Sequence, residues 1–182
     1  MKSKSWWIAV LLLALAAPLA GQVGRRDPLT EAETDQLREL AMEPDRRLKL
    51  IIKFAQARLA SIEEVRAVPT PAADRVQKIH DLLEDFGRII DELDDNIDDY
   101  VERKADLRKP LKDVIEADSE FQAKLRALKE SAKDESRDYG FVLQDSLDAV
   151  NSNLDSAREL LDQQEAAFKA AKEAEKAKNK KK

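Results

Sequence analysis

The chain has no cysteine, which removes thiol nucleophiles, disulfides, thiolate metal sites and lipid attachment through sulfur in one step. Its single histidine, His80, excludes any site that needs two. Di-iron carboxylate sites in helical bundles need Glu-x-x-His on two helices, and the residue three before His80 is Gln77. Only four glycines occur, and none builds a phosphate-cradling loop or a Gly-x-Ser-x-Gly elbow. Aromatic residues are scarce at 5%, and both tryptophans, Trp6 and Trp7, fall near the N-terminus. Few stretches alternate with period two, so there is no case for a sheet. The catalytic inventory is empty, and no cofactor is expected.

Long apolar runs are absent too, except at the start. Lys2 and Lys4 precede an almost wholly apolar stretch, residues 6–20, and small residues follow it. That is the three-part pattern of a secretory signal peptide, cleaved after about Ala20, and it predicts an exported, periplasmic or extracellular protein. As a helix the run reaches only roughly 22 Å, short of the ~30 Å hydrocarbon core. An uncleaved anchor is the alternative. No later segment is apolar enough to span a membrane, so the mature chain is expected to have no transmembrane span.

What is present is charge, at 38% of 182 residues. Without Lys2 and Lys4 the formal net charge of −5 becomes −7. Residues 169–182 carry seven lysines against Glu173 and Glu175, a net of +5, which leaves about −12 on residues 21–168. The molecule reads as an acidic body with a basic tail.

Apolar spacing then organises the body. Val76, Ile79, Leu83, Phe86, Ile90, Leu93, Ile97 and Tyr100 alternate steps of three and four without a miss, an unbroken heptad seam. Leu82 and Ile89 widen the stripe, and a wide stripe contacts two partners, favouring a bundle over a two-stranded coil. Gly87 inside it costs about 1 kcal/mol relative to Ala; it is either a close-approach point or a tolerated weak spot.

Around the seam, Thr30 and Glu33 match a capping box opening a short helix over residues 31–42. Pro44 suits the first turn of a second helix, residues 44–67, with Leu48, Ile51, Ile52, Ala55, Leu59 and Ile62 inward, ended by Pro69 and Pro71. Leu107, Leu111, Val114, Phe121, Leu125 and Leu128 keep the seam's phase straight across Pro110. Either one kinked helix or two antiparallel helices explains this. Lys104 on the seam and Asp106 as an N-cap favour a turn over residues 104–109. A second break is expected over residues 131–140. The last helix then carries Leu143, Leu147, Val150, Leu154, Ala157, Leu161 and Phe168, and frays beyond Phe168.

The sequence therefore predicts an all-α protein: an antiparallel bundle of about four long helices with coiled-coil-like heptad packing, a short N-terminal helix and a signal peptide. Its parts are a signal peptide (1–20), a flexible lead (21–29), the bundle (30–168) and a basic Lys/Ala/Glu tail (169–182).

Polar clusters supply the candidate sites. Asp91, Glu92, Asp94, Asp95, Asp98, Asp99 and Glu102 lie mostly opposite the seam, with Asp91, Asp95, Asp98 and Asp99 as the candidate cation-binding or basic-partner face. An EF-hand fails, because counting from Asp94 position six is Asp99 and position twelve is Ala105. A solvated face is the plainer account. His80 reads as a boundary residue, with a lone pH-sensitive group as the functional alternative. Lys176, Lys178, Lys180, Lys181 and Lys182 form the candidate partner-binding tail, which would meet anionic envelope polymer or lipid. Nucleic acid is not expected, since Phe168 is the last aromatic and none interleaves the lysines. The expected function is non-enzymatic: protein–protein interaction or self-association in the cell envelope. A periplasmic holdase-type chaperone is the alternative.

Overall fold

The described residues form five helices, and capping and proline chemistry set several of their boundaries. The computed structural model describes residues 26–69, 71–131 and 136–179; the expected signal segment and Lys180, Lys181 and Lys182 lie outside them. The helices are α1 (Glu31–Glu39), α2 (Pro44–Ala67), α3 (Ala72–Glu102), α4 (Pro110–Ser131) and α5 (Ser136–Asn179), with no strand among the described residues. No described helix is long and apolar enough to cross a membrane.

Several boundaries have a local cause. Thr30 caps α1 through the full box, Glu33 N–H to Thr30 Oγ1 at 3.2 Å and Thr30 N–H to the Glu33 carboxylate at 2.8 Å. The helix stops at Glu39, three residues before the expected end. Pro44 disfavours helix in the residue before it, and Glu43 is accordingly non-helical at φ −119 and ψ 79. The expected turn after α3 is present. Lys104 N–H bonds the Val101 carbonyl and Ala105 N–H the Tyr100 carbonyl, both at 2.9 Å, which is the Schellman pattern. Lys104 occupies its left-handed position at φ 58, where glycine is normal. Asp106 then accepts from the Arg108 N–H at 3.2 Å, and the Leu107 carbonyl accepts from Leu111 at 2.9 Å. Pro110 therefore sits in a first turn that needs no amide from it.

The second break was expected over residues 131–140, of which 132–135 lie outside the described residues. α5 is helical from Ser136, and Tyr139 in its first turn is buried. Gly140 has an ordinary negative φ and open space where a Cβ would stand, so it marks no turn. At the other end the expected fraying beyond Phe168 is not found; α5 stays helical to Asn179. Alanine, lysine and glutamate are the strongest helix formers, and residues 166–179 are exposed throughout.

Four helices form a ring in which α2 touches α3 and α4, and α5 touches α3 and α4, with α1 against α2. Successive helices run antiparallel. Tyr100 Oη at the end of α3 donates to the Ala41 carbonyl just before α2, at 3.0 Å. α4 runs beside α2 in the same direction, from Lys109–Asp45 (3.0 Å) at one end to Arg66–Ser131 (2.7 Å) at the other. α3 and α4 thus lie on a diagonal, and Phe86 and Phe121 meet edge-to-face across the centre at 5.3 Å. Both helices point their apolar stripes at this one axis. All the seam positions from Ile79 to Tyr100 are buried, and Val76 is half-buried at the open end.

Two substitutions test this reading of the backbone. Gly87 is not a close-approach point, because an added Cβ would sit 3.6 Å from Ser146 Oγ, an ordinary contact. Gly87→Ala is expected to stabilise the fold by about 0.5–1 kcal/mol. Lys104→Gly relieves a left-handed lysine and is expected to add about 1 kcal/mol. Urea denaturation midpoints measure both, and a loss of stability in either would contradict the assigned geometry.

Candidate functional site

The acidic face of α3 does not converge. Asp91, Asp95, Asp98 and Asp99 are all exposed, and Asp99 is engaged by Arg103 at 3.4 Å. Glu92 turns away, toward Arg47 at 3.7 Å and Asn96 at 2.8 Å. Asp94 is half-buried, and its carboxyl is pushed up by that burial, then by Asp98, Asp95 and Asp91. Among the described residues, no group of three or more carboxylates or histidines could hold a metal ion. Spacings of three and four place these groups on one helical face, but that face turns to solvent.

The basic element is set apart from the body. Gln164 accepts from the Leu107 N–H at 2.8 Å and donates to the Ala105 carbonyl at 3.2 Å, so α5 passes the end of α3 at that level. Residues 169–179 run on for roughly 16 Å at the usual rise. Lys176 and Lys178 are exposed there, while Lys180, Lys181 and Lys182 lie outside the described residues. The exit is braced. Lys112 pairs with Glu165 at 3.1 Å, and the Arg108 guanidinium lies 3.6 Å from the Phe168 ring centroid. Asp106 fixes that guanidinium through two bonds of 2.9 and 2.6 Å, and Arg108 holds the Asp106 carboxyl down to about 2. Phe168 is therefore a half-exposed platform at 49% rather than the last core residue expected from its register.

A groove of about 370 Å³ runs between α3 and α5. His80, Glu84, Arg88 and Asp145 line it with Phe141, which is 81% exposed. Arg88 pairs with Glu84, and His80 lies 3.6 Å from Asp81. Ser146 lines the groove as well, with its hydroxyl directed at the Leu83 and Val142 carbonyls.

The polar groups that do converge are inside. Asn96, Asp118, Ser146 and Asn153 are all buried. Arg47 bonds both Asn96 Oδ1 and the Leu37 carbonyl, tying α1, α2 and α3 together. Ser146 donates its hydroxyl toward the Val142 carbonyl at 2.8 Å and the Leu83 carbonyl at 3.2 Å. Asn153 Nδ2 donates to Asp118 Oδ2 at 2.9 Å. These residues escape a search for apolar periodicity, yet Asp118 leaves a signal: it fills the vacant heptad slot between Val114 and Phe121. Arg58 is another such group. It donates to both carboxylate oxygens of Glu33, at 2.9 and 2.7 Å, and to the Pro28 carbonyl at 2.8 Å. The two side chains are 14% and 15% exposed, and Arg58 holds the Glu33 carboxyl below its usual range.

No family model matches this chain, and no curated protein or solved structure matches it either.

Arg58→Ala removes three charge-assisted bonds by which one side chain joins the lead, α1 and α2. The expected cost is about 2–3 kcal/mol, with amide protection lost first over residues 26–39. Hydrogen exchange checks it, and unchanged protection of α1 would rule the anchor out.

Proposed function

We propose that this chain is an exported, non-enzymatic helical-bundle protein that acts by protein–protein contact or self-association in the cell envelope. The observation that carries the reading is the C-terminal part of α5, a helix exposed on all sides that leaves the bundle bearing Lys169, Lys172, Lys176 and Lys178. A solvated helix of this kind gains nothing from the core, so its order rests on propensity alone until a partner covers it. Its positive charge suits an acidic protein face or an anionic envelope polymer or lipid headgroup. The same end of the molecule carries the acidic end of α3, which repels anions and leaves the basic helix as the element that approaches them. The N-terminal segment supports export. The heptad registers support coiled-coil-like packing within the bundle.

A holdase-type chaperone is the second reading, favoured by Phe141 standing exposed beside the α3–α5 groove. Apolar surface of that kind is what an unfolded client would need.

Crosslinking in cells, with the full chain and with residues 169–182 deleted, tests the first reading. Deletion is expected to abolish most captured partners or cross-linked copies. In envelope extract, capture by the full chain is expected to fall at least several-fold between low salt and roughly 0.5 M salt, where exposed charges are screened. Equal capture by both chains sinks the role of the tail. Suppression of client aggregation at equal molar ratio, undiminished by the deletion, would favour the chaperone reading instead.

A further inference from the structure

Asp118 is the one carboxylate buried in the bundle interior among the described residues, with 0% exposure. One of its oxygens, Oδ2, accepts from Asn153 Nδ2 of α5 at 2.9 Å. Its other oxygen, Oδ1, is buried without a donor, and Asn153 Oδ1 is buried without a donor as well. Two adjoining residues thus hold two orphan acceptors and are already joined by one bond. Buried acceptors left unpaired are costly, because burial strips them of water without a replacement donor. A single hydrogen on Asp118 supplies what is missing, because a carboxylic acid and a primary amide pair through two opposed hydrogen bonds: amide N–H to acid carbonyl, acid O–H to amide carbonyl.

The surroundings favour that hydrogen. From α3, Asp94 presents a like charge to Asp118. From α5 the group in contact is the neutral Asn153, while Asp148 and Asp155 are exposed. From α2, Lys49 is held by Asp45 at 3.4 Å and Asp113 at 3.2 Å, and Lys53 is exposed. On α4 itself Glu116 and Glu120 are exposed. No cation among the described residues offsets a bare carboxylate at this point.

We propose that Asp118 and Asn153 form a proton-operated clasp between α4 and α5, closed as an acid–amide pair and loosened when the acid loses its proton. Burial, reinforced by Asp94 and opposed by the Asn153 bond, raises the Asp118 carboxyl to about 7. In the unfolded chain an aspartate titrates near ~3.9. The folded state therefore holds the extra proton between those values, and its stabilisation is full below about 4 and lost as pH rises through 7. Above that window the contribution is flat, since both states are ionised.

The direct test follows the Asp118 carboxyl carbon of the full chain by NMR from acid to alkaline pH. A midpoint near 7 is expected, and a midpoint in the ordinary carboxylate range would overturn the clasp. Global protection against amide exchange is expected to fall roughly ten- to thirtyfold from about pH 5.5 to about pH 8. Asp118→Asn supplies the second donor permanently, so its protection should not change over that range and should exceed the wild type at the alkaline end. An equal fall in both proteins would also overturn the proposal. If the variant does not fold, the carbon titration decides alone.

Discussion

Everything in this molecule depends on covering the stripe of α3. Ile79, Leu83, Phe86, Ile89, Ile90, Leu93, Ile97 and Tyr100 are buried over a helix of 31 residues, and each such side chain is worth about 1.5–3 kcal/mol when removed from water. One neighbour cannot cover so wide a stripe. α2 and α5 flank it, and α4 closes the ring opposite, where Phe86 meets Phe121. The diagonal placement of α3 and α4 follows, because the helices on either side of α3 are α2 and α5.

Polar groups then refine what apolar burial leaves loosely specified. A ring of Leu and Ile stripes tolerates sliding by a turn, whereas a hydrogen bond between fixed atoms does not. Arg47 to Asn96, Ser146 to Leu83 and Asn153 to Asp118 each join a different pair of helices. They lock register at α2–α3, α3–α5 and α4–α5. Asp118 is the one buried carboxylate among these groups, and under the proposed clasp its protonation governs how tightly α4 is held to α5.

The outer surface divides into two regimes. Where α5 lies on the bundle, its helix is imposed by burial. Past the brace of Asp106, Arg108 and Phe168 it is sustained by composition, since the alanines and lysines there bury nothing. Charge has the same division, negative along α3 and positive along the free end of α5. A helix that costs little to keep and lies clear of the body is suited to contact with something else.

Helix number, the inward faces of α2 and α3, the capping box and the turn before Pro110 were legible in the chain itself, because each depends on residues within a turn or two of one another. Periodicity, caps and proline act locally, and their signals survive without knowing the partner. The start of α5 was not legible, since Tyr139 joins the helix through burial against distant residues and Gly140 imitates a turn. Nor could the left-handed Lys104 be read from residue type. The candidate acidic face was legible as a face but not as a site, because whether carboxylates converge depends on where neighbouring helices stand. Only the tertiary structure decided that Asp118 would meet Asn153, from 35 residues away, inside a ring that excludes water. Local sequence marked that slot as polar; the packing of α4 on α5 made it a buried acid with a single partner.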